Sequence, residues 1–432
     1  MPVTRLPDVS EGDRLALEDI IARRALRAVY QPVVELDSGL TIGWEALIRG
    51  PAGSALEFPD RLFSIAARLG LTAELDYCCR AVAVSGALDA GLGRRQELLV
   101  NIEPNAASAQ IPAFLIAVRE LVQQHLRVTV ELTERALTAR PAELLALVEE
   151  YRDRGWGIAL DDVGLDPRSV SLMPLLRPDL IKLDMSFVQQ PLTREKARVL
   201  HAVIAEAERS GAIVLAEGIE NEQHMETACG LGATLGQGWL FGHPGPLLPA
   251  ATALPPRVPH ASQRAAAAKS VNDTPFEALA VSGVPRRSAG LHLLQPMSYA
   301  LEAEALEQGP SALLISTFQD ASQFDRSIAK RYSQIAKRAA FVGALARGLE
   351  RTPSVGVHGA ALGEAESLRR EWTVVVLGPH FAGALVAREL DSDANGASRQ
   401  FEYVLTFDRD NVVLAAARLM ARIAPFIDDP TD

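Results

Sequence analysis

Glu45, Asn101, Glu131, the pair Asp161 and Asp162, Lys182, Asp184, Glu217 and Gln237 recur as isolated polar residues at the ends of apolar stretches. Leu98-Leu99-Val100 runs into Asn101, Val128-Thr129-Val130 into Glu131, and Ile158-Ala159-Leu160 into Asp161. Leu180-Ile181 runs into Lys182, and Ile213-Val214-Leu215-Ala216 into Glu217. Asn101 and Glu131 lie 30 residues apart, as do Glu131 and Asp161, a period that fits one strand and one helix. Polar groups at the C-terminal ends of successive parallel strands meet on one rim of a (β/α)8 barrel, where the active sites of that fold lie. Oxygen ligands on such a rim suit a hard divalent cation, Mg²⁺ or Mn²⁺. The adjacent aspartates suggest two ions.

The elements that would position these residues read as alternating strands and helices from residue 14 to 248. One crossover helix is expected between Pro141 and Arg154. Proline stands in its first turn, Leu144, Leu145, Val148 and Tyr151 share a face, and Gly155 stops it. Another is expected from Arg194 to Arg209, with Val199, Val203 and Ala207 aligned before Ser210-Gly211. Each precedes an apolar strand candidate, the βαβ pattern. From 249 to 274 the chain is rich in Pro and Ala and reads as a linker, with a short helical piece at Ala265 to Lys269. A second, smaller α/β or α+β domain is expected from 275 to 425. Its strand candidates are Ala312–Thr317, Thr373–Leu377 and Tyr403–Phe407, with helical stretches from Asp325 to Glu350 and from Asp410 to Ala424.

The chain has 432 residues, 48% hydrophobic and 22% charged, which bounds it as a globular protein of two or three domains. A net charge of -11 argues against general nucleic-acid binding by phosphate attraction, though not against one small phosphorylated ligand held by metals. No apolar run is long enough for a membrane span, and the first residues lack the apolar core of a signal peptide. Cys78, Cys79 and Cys229 form neither a disulfide framework nor a metal spacing. The expectation is a cytoplasmic protein with buried, inert thiols.

Tyr30-Gln31-Pro32 followed by Glu45-Ala46-Leu47-Ile48-Arg49 resembles the opening of an EAL domain, the family that hydrolyses cyclic di-GMP to linear pGpG. The resemblance continues through VNIEP at 100–104, ELTE at 131–134, Asp161-Asp162, IKLDMSFV at 181–188, AEGIE at 216–220 and GQGWLFGHP at 236–244. Each motif alone is weak; their order and spacing together are specific. The resemblance implies a TIM-like barrel in which Glu45, Asn101, Glu131 and Asp161 hold a first ion, and Asp161 bridges to a second that Asp162 also binds. It implies that Lys182 meets the attacking water or developing charge, and that Glu217 acts as general base or as a water-mediated ligand. Asp184, Glu220 and Gln237 would steady the ligands or their waters, and Arg49 has the fork geometry for a substrate phosphate. Gln31 and Glu134 match family positions near substrate and metal. A homodimer through the barrel is a further expectation from the resemblance.

One segment departs from the family pattern. Where active members read close to Phe-Gly-Thr-Gly-Tyr-Ser-Ser, this chain reads Val163-Gly164-Leu165-Asp166-Pro167-Arg168-Ser169. Loss of a glycine and gain of Pro167 are expected to stiffen and reshape this loop. The alternative to an enzyme is therefore a barrel that binds cyclic di-GMP as a receptor without turnover. No GG(D/E)EF motif is present, so synthesis of the messenger is not expected. The C-terminal part resembles a DICT sensory domain in its element order, in SALLISTFQD at 311–320 and in WTVVVLGPHFAGALVARE at 372–389. Its ligand is not readable. His358 and His380 lack neighbouring ligand spacing, and Gly356, Gly359 and Gly363 lack the Lys-Ser/Thr of a phosphate loop.

Overall fold

The structure, a computed structural model, describes residues 9–103, 112–133, 141–164, 166, 169–247, 258, 274–364, 366–390 and 399–423. Glu134, Leu165, Pro167, Arg168 and the helical piece expected at Ala265 to Lys269 lie outside the described residues.

Eight strands close a barrel in chain order: β1 (Arg27–Glu35), β2 (Thr41–Arg49), β3 (Glu97–Asn101), β4 (Arg127–Thr133), β5 (Gly157–Val163), β6 (Leu180–Leu183), β7 (Ile213–Ala216) and β8 (Leu235–Gly236). β2 to β8 are mutually parallel, as expected of the fold. β1 is reversed and pairs antiparallel with both β2 and β8. The reason is the connection: a short turn between Glu35 and Thr41 can return the chain only antiparallel, since a parallel neighbour needs a crossover of a dozen or more residues. The crossover helices include Pro141–Asp153 and Arg194–Ser210, close to the spans read from periodicity.

Leu99, Ala159, Leu180 and Leu215 pack together with Val33, Ile42, Leu235 and Val258 inside the barrel. Each of the first four stands two residues before a rim residue: Asn101, Asp161, Lys182 and Glu217. Side chains two apart on a strand share a face, so this apolar layer aims the polar one above it into the barrel mouth. Arg127 donates from Nη2 to the Val258 carbonyl and from Nε to Glu97 at 2.7 Å, which ties residue 258 to the start of β4.

The second domain is one mixed sheet in the order β12-β11-β10-β13-β14-β15-β9. Its strands are β9 (Arg287–Gly290), β10 (Leu313–Asp320), β11 (Phe341–Arg347), β12 (His358–Ala361), β13 (Glu371–Leu377), β14 (Ala382–Glu389) and β15 (Gln400–Thr406). β10, β11 and β12 run parallel and the rest antiparallel. The helical stretch expected from Asp325 to Glu350 is corrected: the helix is Arg326–Ala336, and the chain re-enters the sheet as β11. Phe341 to Ala346 is an unbroken buried run, whose lack of alternation cannot distinguish a central strand from a helix. The thiol expectation needs a second correction. Cys78 and Cys79 are buried in the helix Thr72–Asp89, but Cys229 is exposed at the end of Glu222–Gly230. Among the described residues no helix is long and apolar enough to cross a membrane.

Candidate functional site

Lys182 stands at the centre of the barrel mouth, 1% exposed. Its Nζ lies 2.7 Å from Glu131 Oε1, 2.8 Å from Asp161 Oδ1, 2.8 Å from Glu217 Oε1 and 3.6 Å from Glu45 Oε2. Four strands thus send carboxylates to one ammonium. Asn101 is paired in register with Glu131. Its Nδ2 donates to Glu131 Oε2 at 3.0 Å and to Glu45 Oε1 at 3.2 Å, leaving Oδ1 as the atom it can offer a cation. On the other side, Gln237 Nε2 donates to Glu45 Oε2 at 2.6 Å and to Gln31 Oε1 at 3.1 Å. Gln31 Nε2 in turn donates to the Gly242 carbonyl at 3.2 Å. Gln237 Oε1 is buried without a hydrogen-bond partner among the described residues.

Two consecutive residues of a regular strand point to opposite faces, so Asp161 and Asp162 could not both serve one site from an ideal β5. The register between β5 and β6 is broken between Leu160 and Val163, and Asp162 has a φ of 56°. This bulge turns the second aspartate toward the first. Asp161, Asp162 and Glu217 then each offer an oxygen within 4.8 Å of the others, a grouping able to hold a metal ion.

The electrostatics follow from that crowding. Burial opposes the charge on Lys182, but Asp161, Glu131, Glu217 and Glu45 outweigh it and hold the ammonium pKa well above its usual value. Burial, then repulsion from Glu45, pushes Glu131 well up against the pull of Lys182. Burial likewise lifts Glu217 to about 8, with Lys182 opposing and Asp161 and Glu45 adding. Asp162 is raised by burial and by Asp161.

Arg49, at the end of β2, donates to the Ile48 carbonyl at 2.9 Å, and its guanidinium lies 6.0 Å from the Phe58 ring centroid. It has no ion pair among the described residues, and burial followed by the charge of Arg27 lowers its pKa. Asp184 Oδ1 accepts from Ser186 N at 2.9 Å at the start of the helix Ser186–Gln189. Glu220 is exposed and accepts from Gln189 Nε2 at 3.4 Å. Neither makes a direct contact with the central cluster. Sequence reasoning gave Trp239 no role. It is 56% exposed two residues beyond Gln237, and its ring lies 5.0 Å from that of His243. A tryptophan left in solvent beside buried polar groups is the signal that marks it.

Residues 14–244 match the EAL domain family, and residues 288–390 match the family described as a sensory domain in diguanylate cyclases and two-component systems. The probable cyclic di-GMP phosphodiesterase PdeB of Escherichia coli K12 is 33% identical over 236 residues, which are 52% of this chain and 44% of that protein. The cyclic di-GMP phosphodiesterase RocR of Pseudomonas aeruginosa is 31% identical over 227 residues, 51% of this chain and 57% of that one. The chain thus spans about half the length of these curated relatives. A solved structure described as a PaMucR phosphodiesterase in complex with c-di-GMP is 27% identical, covers 54% of this chain and 97% of its own, and superposes with a TM-score of 0.47.

Proposed function

This chain belongs to the EAL domain family, and we propose that it hydrolyses cyclic di-GMP to linear pGpG with divalent metal ions, under the control of its C-terminal domain. The observation that carries this reading is the charge balance of the rim. Glu45, Glu131, Asp161, Asp162 and Glu217 gather around the single ammonium of Lys182. Such an excess of buried carboxylate is costly unless cations share it. The donors are all hard oxygen, which fits Mg²⁺ or Mn²⁺. Glu45, Asn101, Glu131 and Asp161 would hold a first ion, and Asp161 with Asp162 a second. Bound there, the ions supply neutralisation of phosphoryl charge and an activated water.

The chain's own residues do the rest. Glu217, beside Asp161 and Asp162 on the rim, would take the proton of the attacking water. Lys182 fixes the carboxylates Glu131, Asp161 and Glu217 in one arrangement and steadies charge that develops beside them. Arg49 offers a guanidinium fork to a substrate phosphate. Gln31 and Gln237 form an amide chain that orients substrate and Glu45. Asp184, Glu134 and Glu220 keep the role that the resemblance implies, steadying the ligands through their waters. That two relatives are named as cyclic di-GMP phosphodiesterases supports the choice of substrate.

The test is incubation of the purified chain with cyclic di-GMP and Mg²⁺ or Mn²⁺, with pGpG followed by chromatography beside a Glu45→Ala control. Metal-dependent pGpG that is absent in the control is the expected result. Binding of cyclic di-GMP without product points to a receptor. Absence of both binding and product overturns the reading.

A further inference from the structure

The stretch from 321 to 363 is charged against the trend of the chain. It holds seven basic residues and two acidic ones, in a protein whose net charge is -11. Arg331 is paired with Glu302, and Arg347 with Asp320. Arg326, Lys330, Lys337, Arg338 and Arg351 are exposed and make no ion pair among the described residues. Of the two acids, Asp325 is engaged as the cap of the helix Arg326–Ala336. Its Oδ1 accepts from Ser327 N at 2.8 Å and from Ile328 N at 2.9 Å.

Helical spacing collects three of the free cations on one side. Arg326, Lys330 and Lys337 stand at i, i+4 and i+11, within about 40° of one another around the helix axis. Tyr332 and Ile335 of the same helix are buried against Leu314 and Val342 of the sheet, on the side opposite this stripe. The turn closed by the Ser354–Val357 bridge is clamped along the helix. Ser354 Oγ donates to the Ala329 carbonyl at 3.3 Å, and a Cβ on Gly356 would lie 3.0 Å from Ala336 Cβ. Ala329 and Ala336 border the cationic stripe, so Val355, 76% exposed at the tip of the turn, flanks it. Arg351 enters the same loop, its carbonyl accepting from Gly359 N at 2.7 Å. The whole face lies away from the barrel. The other side of the sheet carries the last helix, Arg409–Met420, which packs on Ser169–Leu176 of the barrel.

We propose that this face, Arg326, Lys330, Lys337 and Arg351 around Val355, is a peripheral docking surface for an anionic lipid bilayer. Its cations meet headgroup phosphates within a Debye length, a range over which negative charge elsewhere on the chain is screened. Val355 then enters the interface, while the lysine stems lie along it and keep their ammonium groups among the headgroups. The chemistry favours a bilayer over a single-stranded nucleic acid, which is held by exposed rings that stack on bases. Phe324, Tyr332 and Phe341 of this stretch are buried, and its exposed large apolar side chain is the aliphatic Val355. Four cations and one valine give a weak contact that salt reverses, short of the two-signal anchoring that holds a protein stably on a membrane.

The full chain is sedimented with phosphatidylcholine vesicles containing about one third phosphatidylglycerol, and with phosphatidylcholine alone. The expected result is binding to the anionic vesicles only, lost as salt is raised from about 0.05 M to about 0.5 M. Lys330→Gln combined with Lys337→Gln should weaken binding about 25-fold, at about fivefold for each cation removed. Val355→Ser should weaken it about tenfold with the salt dependence unchanged. The altered side chains are all exposed, and an unchanged Tm shows that the fold is kept. Absence of binding to anionic vesicles overturns the proposal. So does equal binding to neutral vesicles, or binding that either variant retains in full. Binding of labelled DNA through Lys330 and Lys337, with vesicles left free, overturns it in favour of a nucleic-acid surface. None of these outcomes depends on pGpG formation, so this proposal and the hydrolase reading fail separately.

Discussion

Replacing Lys182 by Met removes the ammonium while keeping most of the side-chain volume, so the perturbation is electrostatic rather than a cavity. The three contacts at 2.7 to 2.8 Å with Glu131, Asp161 and Glu217 are each worth about 6 kcal/mol at an effective dielectric of about 20. Desolvation of the buried ammonium offsets much of that sum. Breaking a buried ion network from one side typically costs a net of about 3–5 kcal/mol, because the remaining charges are left uncompensated. For a barrel of this size that corresponds to a fall in Tm of roughly 10 °C. The cost should depend on metal: without the ammonium the uncompensated carboxylates bind a cation more tightly than the parent's do, so the deficit is full in chelator and narrows in Mn²⁺ by about 1.4 kcal/mol for each tenfold gain in affinity. The assay is thermal unfolding of parent and Lys182→Met in chelator and in Mn²⁺, with pGpG formation measured on the same samples. The expected pattern is a large deficit in chelator, a smaller one in Mn²⁺, and at least a hundredfold loss of rate in both. A variant within about 1 kcal/mol of the parent in chelator, or one with full turnover, would refute the assignment of Lys182 as the hub of the rim.

Three further outcomes follow from the same structure. Glu217→Gln should lower kcat by about 10²–10⁴, the usual contribution of a general base, while cyclic di-GMP affinity measured by titration stays near that of the parent. Trp239→Ala should weaken cyclic di-GMP binding by about 1–3 kcal/mol if the exposed ring stacks on a base, seen as a raised KM with little change in kcat. His358 stacks on Phe341 at 4.4 Å, and burial lowers its pKa from 6.5 to about 4. The unfolded chain therefore binds this proton more readily, so the stabilisation is full above pH 6.5 and is lost as pH falls toward 4. Denaturant titration of the parent at pH 7 and pH 4.5 should show that loss, at most about 3 kcal/mol, and His358→Gln should remove most of it.

What the sequence made legible has a physical pattern. Asn101, Asp161, Lys182 and Glu217 were readable because each follows an apolar run, and the layer Leu99, Ala159, Leu180 and Leu215 two residues before them enforces their parity, whereas Glu45 stands within β2 two residues after Gly43, and Glu131 two after Thr129. The bulge at Asp161–Asp162 was not readable. Adjacent carboxylates look the same whether one or both face the site, and only the broken register beside β6 decides it. The reversal of β1 depends on a short connection whose meaning emerges only when the barrel closes. In the second domain, β11 hid because Phe341 to Ala346 is buried throughout and carries no period of two. The docking of Arg409–Met420 on Ser169–Leu176 joins segments over two hundred residues apart in sequence, and no local pattern in either helix names its partner.

The segment after the aspartate pair concentrates these effects. Gly164 survives where its neighbours depart from the family pattern, and the structure gives the reason. It has a φ of 117°, and a Cβ there would lie 2.1 Å from the Phe187 ring. Phe187 belongs to the IKLDMSFV stretch that also carries Lys182 and Asp184, so the glycine lets β5 close over the same element that delivers the central ammonium. The Asp162 backbone beside it sits in the left-handed region at 56°, a conformation held only when its surroundings over-determine it. Phe187 supplies a constraint two residues on, at Gly164. Loss of that anchor would let Asp162 relax toward the ordinary strand geometry in which it faces away from Asp161. The Asp161–Asp162 pair is thus fixed by a broken register and by what packs beside it, whereas Asn101 and Glu131 are fixed by regular pairing of the barrel strands.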